Sequence, residues 1–324
     1  MSDAKDWAFP QAMQPDPKKV DFDLDKALAA MVLLRAEIPE QAFTADILGT
    51  ERGGYGVVIG DKGLVLTIGY LITEAQTVWL TTHRGNAIPG HPLAYDQVTG
   101  FGLVLPLLPL DVKPIPRGSV NHCTRGDQVY VLGHGGRDHA LAATVLDVRE
   151  FAGYWEYVLD QAIFTAPAHP QWAGAALLSS SGKLLGIGSL LVQEADEGKT
   201  TQGNMFVPID LIEPILEDLI TRGRARRPAR AWLGMYVQED KGRLHVVGLA
   251  NDGPAERAGI RTEDIVVAVG GEVPSDLADF FHKVWDLGPA GTEVEFTLLR
   301  QGNRVDIKME SIDRNDLLYK PRMH

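Results

Sequence analysis

Cysteine, basic charge and long apolar runs are all scarce in this chain. Cys123 is the only cysteine among 324 residues, so no intrachain disulfide can stabilise the fold. Lys and Arg number 31 against 43 Asp and Glu, and the net charge of -12 argues against general nucleic-acid binding, because phosphate contacts require clustered basic residues. The basic cluster Arg222–Arg230 is interpreted as a solvated linker.

Membrane and export signals are also missing. No stretch approaches the ~18 consecutive apolar residues of a membrane span. The N-terminal residues have no apolar segment typical of a secretory signal. We therefore expect no membrane span and a cytoplasmic location for the chain as written, or a periplasmic one if a leader has been removed.

Short apolar runs separated by Gly, Pro, Asn and Asp are abundant. They are rich in Val, Ile, Leu or Thr, which is typical of strands in sandwiches and barrels. Before Pro208 the runs are Ala30–Ala36, Tyr55–Ile59, Leu64–Ile68, Val78–Thr82, Gly102–Leu107, Gln128–Leu132, Leu141–Val148, Tyr157–Phe164, Ala175–Ser179, Leu184–Leu191 and Met205–Val207.

From Pro208 the apolar period becomes helical. Apolar residues on one face predict an amphipathic helix over Pro208–Thr221, with a kink or delayed start at Pro214 and an end at Gly223. The last unit combines strand runs with two helical patterns. Its strand runs are Leu233–Val237, Arg243–Leu249, Ile265–Val269 and Glu293–Leu299, and its helices are Pro254–Ala258 and Ser275–Leu287, the latter with Ser275 as N-cap.

Several segments in this order resemble the HtrA/DegP family of trypsin-like serine proteases. They are Gly54–Ile59, Gly63–Thr67, Arg125–Gly133, Ser181–Ile187, Phe206–Ile209, Ala231–Met235, Gly253–Ile260 and Asp264–Gly271. The resemblance implies a mostly β fold, a trypsin-like double β-barrel followed by a smaller α+β PDZ domain. It implies a polar arm over 1–26, the barrels with their closing helix over 27–224, a basic linker over 225–230, the PDZ domain over 231–312 and a tail over 313–324.

The catalytic triad of that family is replaced here. Such a protease needs a serine nucleophile, a histidine base and an aspartate that orients the histidine. The resemblance places Tyr70 at the histidine position, Gly100 at the aspartate position and Ala173 at the serine position. A phenol with a pKa near ~10 is a poor general base, a glycine has no carboxylate and an alanine has no nucleophile. We therefore expect a catalytically inactive family member, a pseudoprotease.

The oxyanion hole of the family is degenerate as well. Gln171 stands where the family has glycine, two residues before the nucleophile, and its side chain would be strained if that turn required a positive φ. Trp172, next in sequence, is predicted to fill the former cleft.

No other residues form a convincing chemical site. His134 and His139 are interpreted as ordinary loop histidines, since no Cys or acidic cluster at ligand spacing accompanies them. Asp96 is interpreted as a turn residue, and His169 lies near the lost nucleophile. We expect no metal site and no cofactor.

The PDZ resemblance implies a peptide-binding groove. A PDZ domain adds a peptide to a sheet edge and holds its C-terminal carboxylate in a nest of backbone amides. By position, Trp232, Leu233 and Gly234 form the nest, while Met235 and Val237 line the groove. Leu277 and Phe281 either line it from the helix or belong to the core.

Three functions remain open at this stage. The first is a catalytically inactive scaffold or adaptor that binds protein or peptide C-termini. The second is an active serine endopeptidase with a displaced site, and the third is a structural subunit of a larger enzyme complex. The family resemblance also allows a homo-oligomer. No nucleic-acid partner is expected.

Overall fold

The computed structural model of the chain describes residues 7–60, 62–196 and 199–319. Within this range it forms two compact units. The first comprises residues 7–149, 161–226 and 319, and the second comprises residues 150–160 and 227–318. The boundary near residue 226 lies in the predicted linker. The segment 150–160 was expected in the barrel domain, but it groups with the second unit.

Six antiparallel strands form the first barrel, since their alternating and continuous apolar runs can all face one closed core. They are β1 (Met31–Glu37), β2 (Glu51–Val58), β3 (Val65–Ile68), β4 (Thr77–Thr81), β5 (Ala87–Tyr95) and β6 (Phe101–Pro106). The barrel closes in the order β1-β2-β3-β6-β5-β4. Its core includes Leu34, Leu66, Leu80 and Phe101, all fully buried.

The second barrel has the same number of strands. They are β7 (Gln128–Leu132), β8 (Ala140–Gly153), β9 (Tyr157–Ala166), β10 (Ala176–Ser179), β11 (Leu184–Asp196) and β12 (Lys199–Pro208). This barrel closes in the order β10-β11-β12-β9-β8-β7. The two closed barrels confirm the mostly β, trypsin-like double-barrel architecture expected from the sequence.

Three short α-helices accompany the barrels: α1 (Leu24–Ala29), α2 (Ala45–Leu48) and α3 (Leu216–Arg222). The predicted closing helix is interrupted at Pro214, because the chain forms a 3-10 turn over Ile209–Ile212 before α3 begins. Gly223 ends α3 in the left-handed conformation at φ 71°.

The N-terminal arm has more structure than its polar composition suggests. A 3-10 turn spans Gln11–Met13, and α1 begins inside the predicted arm, with the Asp23 carboxylate accepting from the Lys26 amide. The ring of Trp7 lies edge-on to the ring of His139, at a centroid distance of 4.4 Å. Burial of these aromatic rings gives the arm a fixed place on the first unit.

The second unit contains the PDZ elements. They are β13 (Met235–Asp240), β14 (Arg243–Leu249), α4 (Pro254–Arg257), β15 (Ile265–Val269), α5 (Leu277–Asp286), β16 (Glu293–Arg300) and β17 (Asn303–Glu310). The sheet runs in the order β13-β14-β15-β16-β17, so β13 is an edge strand. The N-cap of α5 is Asp276 and not the expected Ser275, because the Asp276 carboxylate accepts from the Asp279 amide at 2.9 Å.

A single apolar cluster, here termed the PDZ core, fills this unit. It includes Leu233, Met235, Val237, Phe280, Phe281, Val284 and Phe296. Val158, from the segment 150–160, belongs to the same cluster and is buried. Across the described residues, none of the helices has the length and hydropathy needed to cross a bilayer.

Candidate functional site

Tyr70 lies in a 3-10 turn over Gly69–Leu71, directly after β3. Its hydroxyl donates to the Ser189 carbonyl at 2.8 Å. Removal from water raises the pKa of the Tyr70 hydroxyl above its usual value, and a side-chain hydrogen bond with Trp172 opposes the rise. The phenol therefore keeps its proton at neutral pH and is already committed to a carbonyl acceptor.

Gly100 lies beside this turn, since its carbonyl accepts from the Gly69 amide at 2.7 Å. Its φ of 80° lies in the left-handed region, which favours glycine over an aspartate. The nearby Asp96 carboxylate accepts from the amide and hydroxyl of Thr99, at 2.9 and 2.8 Å. Asp96 therefore shapes the turn that contains Gly100.

Ala173 contacts β2 of the first barrel. Its carbonyl accepts from the Tyr55 amide at 2.7 Å. A methyl group added at Gly54 would lie 2.6 Å from the Ala173 oxygen and 2.5 Å from the Leu71 side chain. The next residue, Gly174, leaves no room for a side chain, because a Cβ there would lie 1.9 Å from the Tyr55 oxygen. The structure thus brings the three triad-position segments into one neighbourhood of the first unit.

The Gln171 amide, at the oxyanion position, is used inside the protein. It donates to Nδ1 of His169 at 3.1 Å. Gln171 is not in the positive-φ region, so its turn avoids the strain that a side chain would cause there. Its side-chain oxygen accepts from the Tyr55 hydroxyl. An amide aimed at a ring nitrogen cannot also stabilise an oxyanion in the cleft.

His169 is fully buried and serves as a structural centre. Its Nε2 pairs with the His139 carbonyl at 3.1 Å, and its backbone amide donates to Asn204 Oδ1 at 2.6 Å. Burial lowers the pKa of the His169 ring to about 4, so the ring is neutral at pH 7. The rings of Trp7 and Phe9 pack edge-on to it.

Arg52 fixes the Tyr70 turn from behind. The buried guanidinium donates to the carbonyls of Tyr70, Thr73 and Thr44, at 2.7, 3.1 and 3.3 Å. Glu74 lies in the same network and accepts from the Thr44 amide at 2.7 Å. Burial lowers the pKa of Arg52 to about 10, and the charge of Glu74 opposes the shift.

Two histidines near the first-unit site make backbone or aromatic contacts. His134 Nε2 pairs with the Thr82 carbonyl at 3.0 Å, and His139 packs against Trp7. One exposed group, Glu150, Asp160 and His282, brings three potential ligand atoms within 4.8 Å among the described residues. Between residues 7 and 319, leaving aside the undescribed positions, no serine hydroxyl forms a hydrogen bond with a histidine ring.

A second site lies in the PDZ unit. The carboxylate of Glu156 accepts from three successive backbone amides, Leu233 at 2.9 Å, Gly234 at 2.8 Å and Met235 at 3.1 Å. Glu156 is 5 % exposed. Its burial raises the pKa of the carboxyl to about 7, and the amide hydrogen bonds counteract part of this rise. The sequence prediction placed a carboxylate nest at Trp232, Leu233 and Gly234, whereas the three amides that converge on Glu156 begin one residue later.

Trp232 is not part of this nest. Its amide donates to the Ile312 carbonyl at 3.0 Å, so an isolated bridge to the C-terminal segment uses the donor. The next three amides are free of such pairing and converge on one carboxylate. Gly234, at φ 71°, supplies the left-handed turn that aims them inward.

The other predicted groove residues are mostly core. Met235, Val237 and Phe281 have no exposed surface and belong to the PDZ core. Leu277 is half-buried at the edge of that core, and its amide donates to Glu239 Oε2 at 3.3 Å. The Val237 amide still faces outward, since it donates to the Tyr154 carbonyl at 3.1 Å.

Sequence reasoning missed Glu156 and Tyr154 entirely. Both lie in the turn between β8 and β9, where a polar, solvated sequence is usual. The aromatic residues Tyr154 and Trp155 in that turn were the available signal, since large apolar side chains at a turn indicate a partner surface.

Comparisons with known proteins agree with this geometry. A family model for a trypsin-like peptidase domain matches residues 54–187, and a model for a PDZ domain matches residues 231–310. The chain is similar to a serine protease Do-like HtrA of Lactobacillus helveticus, with 24% identity over 296 residues, or 81% of this chain and 69% of the relative. It is also similar to the serine endoprotease DegS of Escherichia coli K12, with 22% identity covering 79% of this chain and 75% of DegS.

Solved structures show the same fold. An HtrA-type protease AlgW with a tripeptide aligns at a TM-score of 0.54 and 18% identity, covering 95% of this chain and 99% of that one. The serine endoprotease from Yersinia pestis aligns at a TM-score of 0.52 and 22% identity, covering 91% of this chain and 99% of that one. At these identities the likeness extends to the fold alone.

Proposed function

We propose that this chain, which is HtrA-like in having a trypsin-like peptidase domain followed by a PDZ domain, is a binding protein and not a working peptidase. The observation that carries the proposal is the identity of three residues: Tyr70, Gly100 and Ala173 stand at the positions that the resemblance matches to the family's histidine, aspartate and serine. The Tyr70 phenol is protonated and donates to a carbonyl, and a methyl group takes the place of the nucleophile. Loss of the nucleophile alone from a comparable triad costs on the order of 10⁶ in rate.

The oxyanion position supports the same proposal. Even a serine at position 173 would lack one of the two donors that stabilise a tetrahedral intermediate, because the Gln171 amide donates to His169. Among the described residues, no serine hydroxyl is hydrogen-bonded to a histidine ring, so no contact favours a displaced active site. The two losses, of nucleophile and of donor, are independent of each other.

Binding is proposed to reside in the PDZ unit. Three successive amides, Leu233, Gly234 and Met235, already hold a carboxylate there, and the adjacent β13 is an edge strand. These are the two elements with which a PDZ domain recognises a free C-terminus. Protein or peptide C-termini are therefore the proposed partner class.

A second candidate is favoured by one observation. Since Glu156 fills the nest, the alternative is a groove that is permanently closed to other chains, in a protein that acts as a structural subunit of a larger complex. Permanent closure predicts that no variant of the Glu156 turn binds a C-terminal peptide.

Casein digestion and a fluorophosphonate probe test the loss of peptidase activity. The full chain is expected to leave casein intact and to remain unlabelled, with trypsin as the positive control. Ala173→Ser is expected to remain unlabelled too, because Tyr70 cannot activate the new hydroxyl. Casein cleavage by the unmodified chain that the fluorophosphonate abolishes would contradict the proposal.

A further inference from the structure

The turn between β8 and β9 occupies the PDZ groove of the same chain. From this geometry we infer that residues 154–156 are a resident internal ligand of the groove, and that a free C-terminal carboxylate binds only after displacing them. The inference rests on the proposed function and deepens it, since it states how the same site is regulated. Four observations support it.

The first observation is the nest itself. Oε1 of Glu156 accepts from Gly234 at 2.8 Å and Met235 at 3.1 Å, and Oε2 accepts from Leu233 at 2.9 Å. The side-chain carboxylate thus uses the donors that a terminal carboxylate would use. Two carboxylates cannot share three amides, because each would lose donors and would repel the other.

The second observation is the register of the backbone. Two residues before Glu156, the Tyr154 carbonyl accepts from the Val237 amide at 3.1 Å. Val237 lies two residues after Met235 on β13, so the turn runs antiparallel to this edge strand. A peptide added to a sheet edge has this arrangement, with its carboxylate at the nest.

The third observation is side-chain packing. The Tyr154 ring lies edge-on to Tyr236 at 6.1 Å, and Trp155 stacks on Tyr157 at 6.0 Å. Val158, just after the turn, is buried in the PDZ core. Tyr154 is 44% exposed, so the apolar burial that holds the turn in place together with the carboxylate comes mainly from Val158.

The fourth observation is backbone conformation. Glu156 has a φ of 62°, in the left-handed region that a glutamate rarely adopts. Such a conformation persists where surrounding contacts determine it, and here the amides of the nest do so. At the base of the same hairpin, His282 Nε2 lies 3.3 Å from Glu150 Oε1, a second and exposed tether.

Hydrogen–deuterium exchange of the full chain tests the docking without any peptide. Glu156→Ala is expected to speed exchange at the amides of Leu233, Gly234, Met235 and Val237 by about tenfold or more, because these donors lose their acceptors or the turn that covers them. Glu156→Gln keeps the shape and removes only the charge, so an intermediate acceleration is expected. Gln161→Asn, an exposed change on β9 just after the hairpin, should leave the rates within about twofold.

Peptide binding tests the competition. The probe is fluorescein-labelled Phe-Ala-Gly-Tyr-Trp-Val, the hairpin's own residues 151–155 followed by valine with a free carboxylate, measured by fluorescence anisotropy. The full-length Glu156→Ala chain is expected to bind it at least about tenfold more tightly than the unmodified chain, since no internal ligand must be displaced. The same peptide with a C-terminal amide should bind neither chain.

The outcomes separate the two proposals. Unchanged exchange at the nest in both Glu156 variants overturns the inference, and so does equal probe affinity in the unmodified and Glu156→Ala chains. Fast exchange without probe binding supports the internal ligand and contradicts the proposed recognition of C-termini. Circular dichroism checks the fold, and Glu156→Gln decides the test if Glu156→Ala does not fold.

Discussion

At the scale of single residues, Tyr70, Gly100 and Gln171, which the sequence resemblance places at catalytic positions, each have a structural role. Tyr70 ties its turn to Ser189, Gly100 allows a left-handed turn, and the Gln171 amide orients the ring of His169. The Tyr70 hydroxyl and the Gln171 amide are thus already engaged, and an oxyanion hole would require such an amide to be free. Under the proposed function, the contacts that tie these groups down are the ones that withdraw them from catalysis.

His169 makes a testable contribution to stability versus pH. Its pKa is about 4 in the folded chain and ~6.5 when unfolded, so the unfolded chain binds more protons between these values. Stability from this group is complete above pH ~6.5 and is lost as the pH falls towards 4, by about 3 kcal/mol. Urea unfolding at pH 7.5 and at pH 4 gives the free energy of unfolding of the unmodified chain and of His169→Gln. The difference between the two chains should be smaller at pH 4 by that amount. A constant difference would contradict this account.

Gly174 is predicted to be intolerant of any side chain. Gly174→Ala should cost more than about 3 kcal/mol of unfolding free energy, because its Cβ would lie 1.9 Å from the Tyr55 oxygen at a φ of 76°. The control is Gly126→Ala, at φ 92° with no atom within 4 Å of the new Cβ, which should cost only about 1–2 kcal/mol. Denaturant unfolding measures both, and equal losses would show that packing at Gly174 is unimportant.

At the scale of elements, the Tyr70 turn depends on a buried guanidinium. Arg52 joins β2 to the carbonyls of Tyr70, Thr73 and Thr44. Arg52 has a structural role, since the donors of its guanidinium point at backbone carbonyls and the Thr44 hydroxyl. The Tyr70 turn is therefore held in place by the Arg52 network.

Arg52→Met should lower the free energy of unfolding by about 3–5 kcal/mol, because it leaves several buried carbonyls without a donor and removes the positive charge that attracts Glu74. The matched control is Arg35→Met on β1, an exposed arginine, for which we expect a change within about 0.5 kcal/mol. Chemical denaturation of the two variants provides the comparison. A loss at Arg52 no larger than that at Arg35 would refute the role of the network.

At the scale of the whole molecule, one compact unit is built from two distant chain segments. Residues 150–160 leave the second barrel as a hairpin, yet they belong to the unit formed by residues 227–318. Glu156 and Val158 supply the polar and apolar parts of this association. The chain therefore passes from one unit to the other at both ends of this hairpin as well as at the linker.

Cutting the linker tests that arrangement. A site for a specific protease placed between Gly223 and Arg224 should yield two fragments that still co-elute in size-exclusion chromatography. Val158→Asp should separate them, because a carboxylate would enter the PDZ core. Val247→Asp, at a valine that is 44% exposed, should leave them together. Separation of the unmodified fragments would contradict the association.

The amino-acid sequence by itself determined the architecture of this protein. Local features fix the elements: the strand runs by their apolar period, and the helix ends and turns by Pro214, Gly223 and the PDZ motif at Gly253–Ile260. Such features need only one chain segment, so they can be read without knowing what that segment packs against. The resemblance placed Tyr70, Gly100 and Ala173 at the triad positions for the same reason, since they lie inside short motifs.

Only the tertiary structure decided where the polar groups of those motifs point. Glu156 meets the Leu233 amide across 77 positions of sequence, and the Gln171 amide donates to the ring of His169. No local pattern encodes such pairings, because they depend on which surfaces meet after the strands have closed into barrels and sheets. The sequence thus predicted a carboxylate nest, and folding determined that the chain's own glutamate fills it.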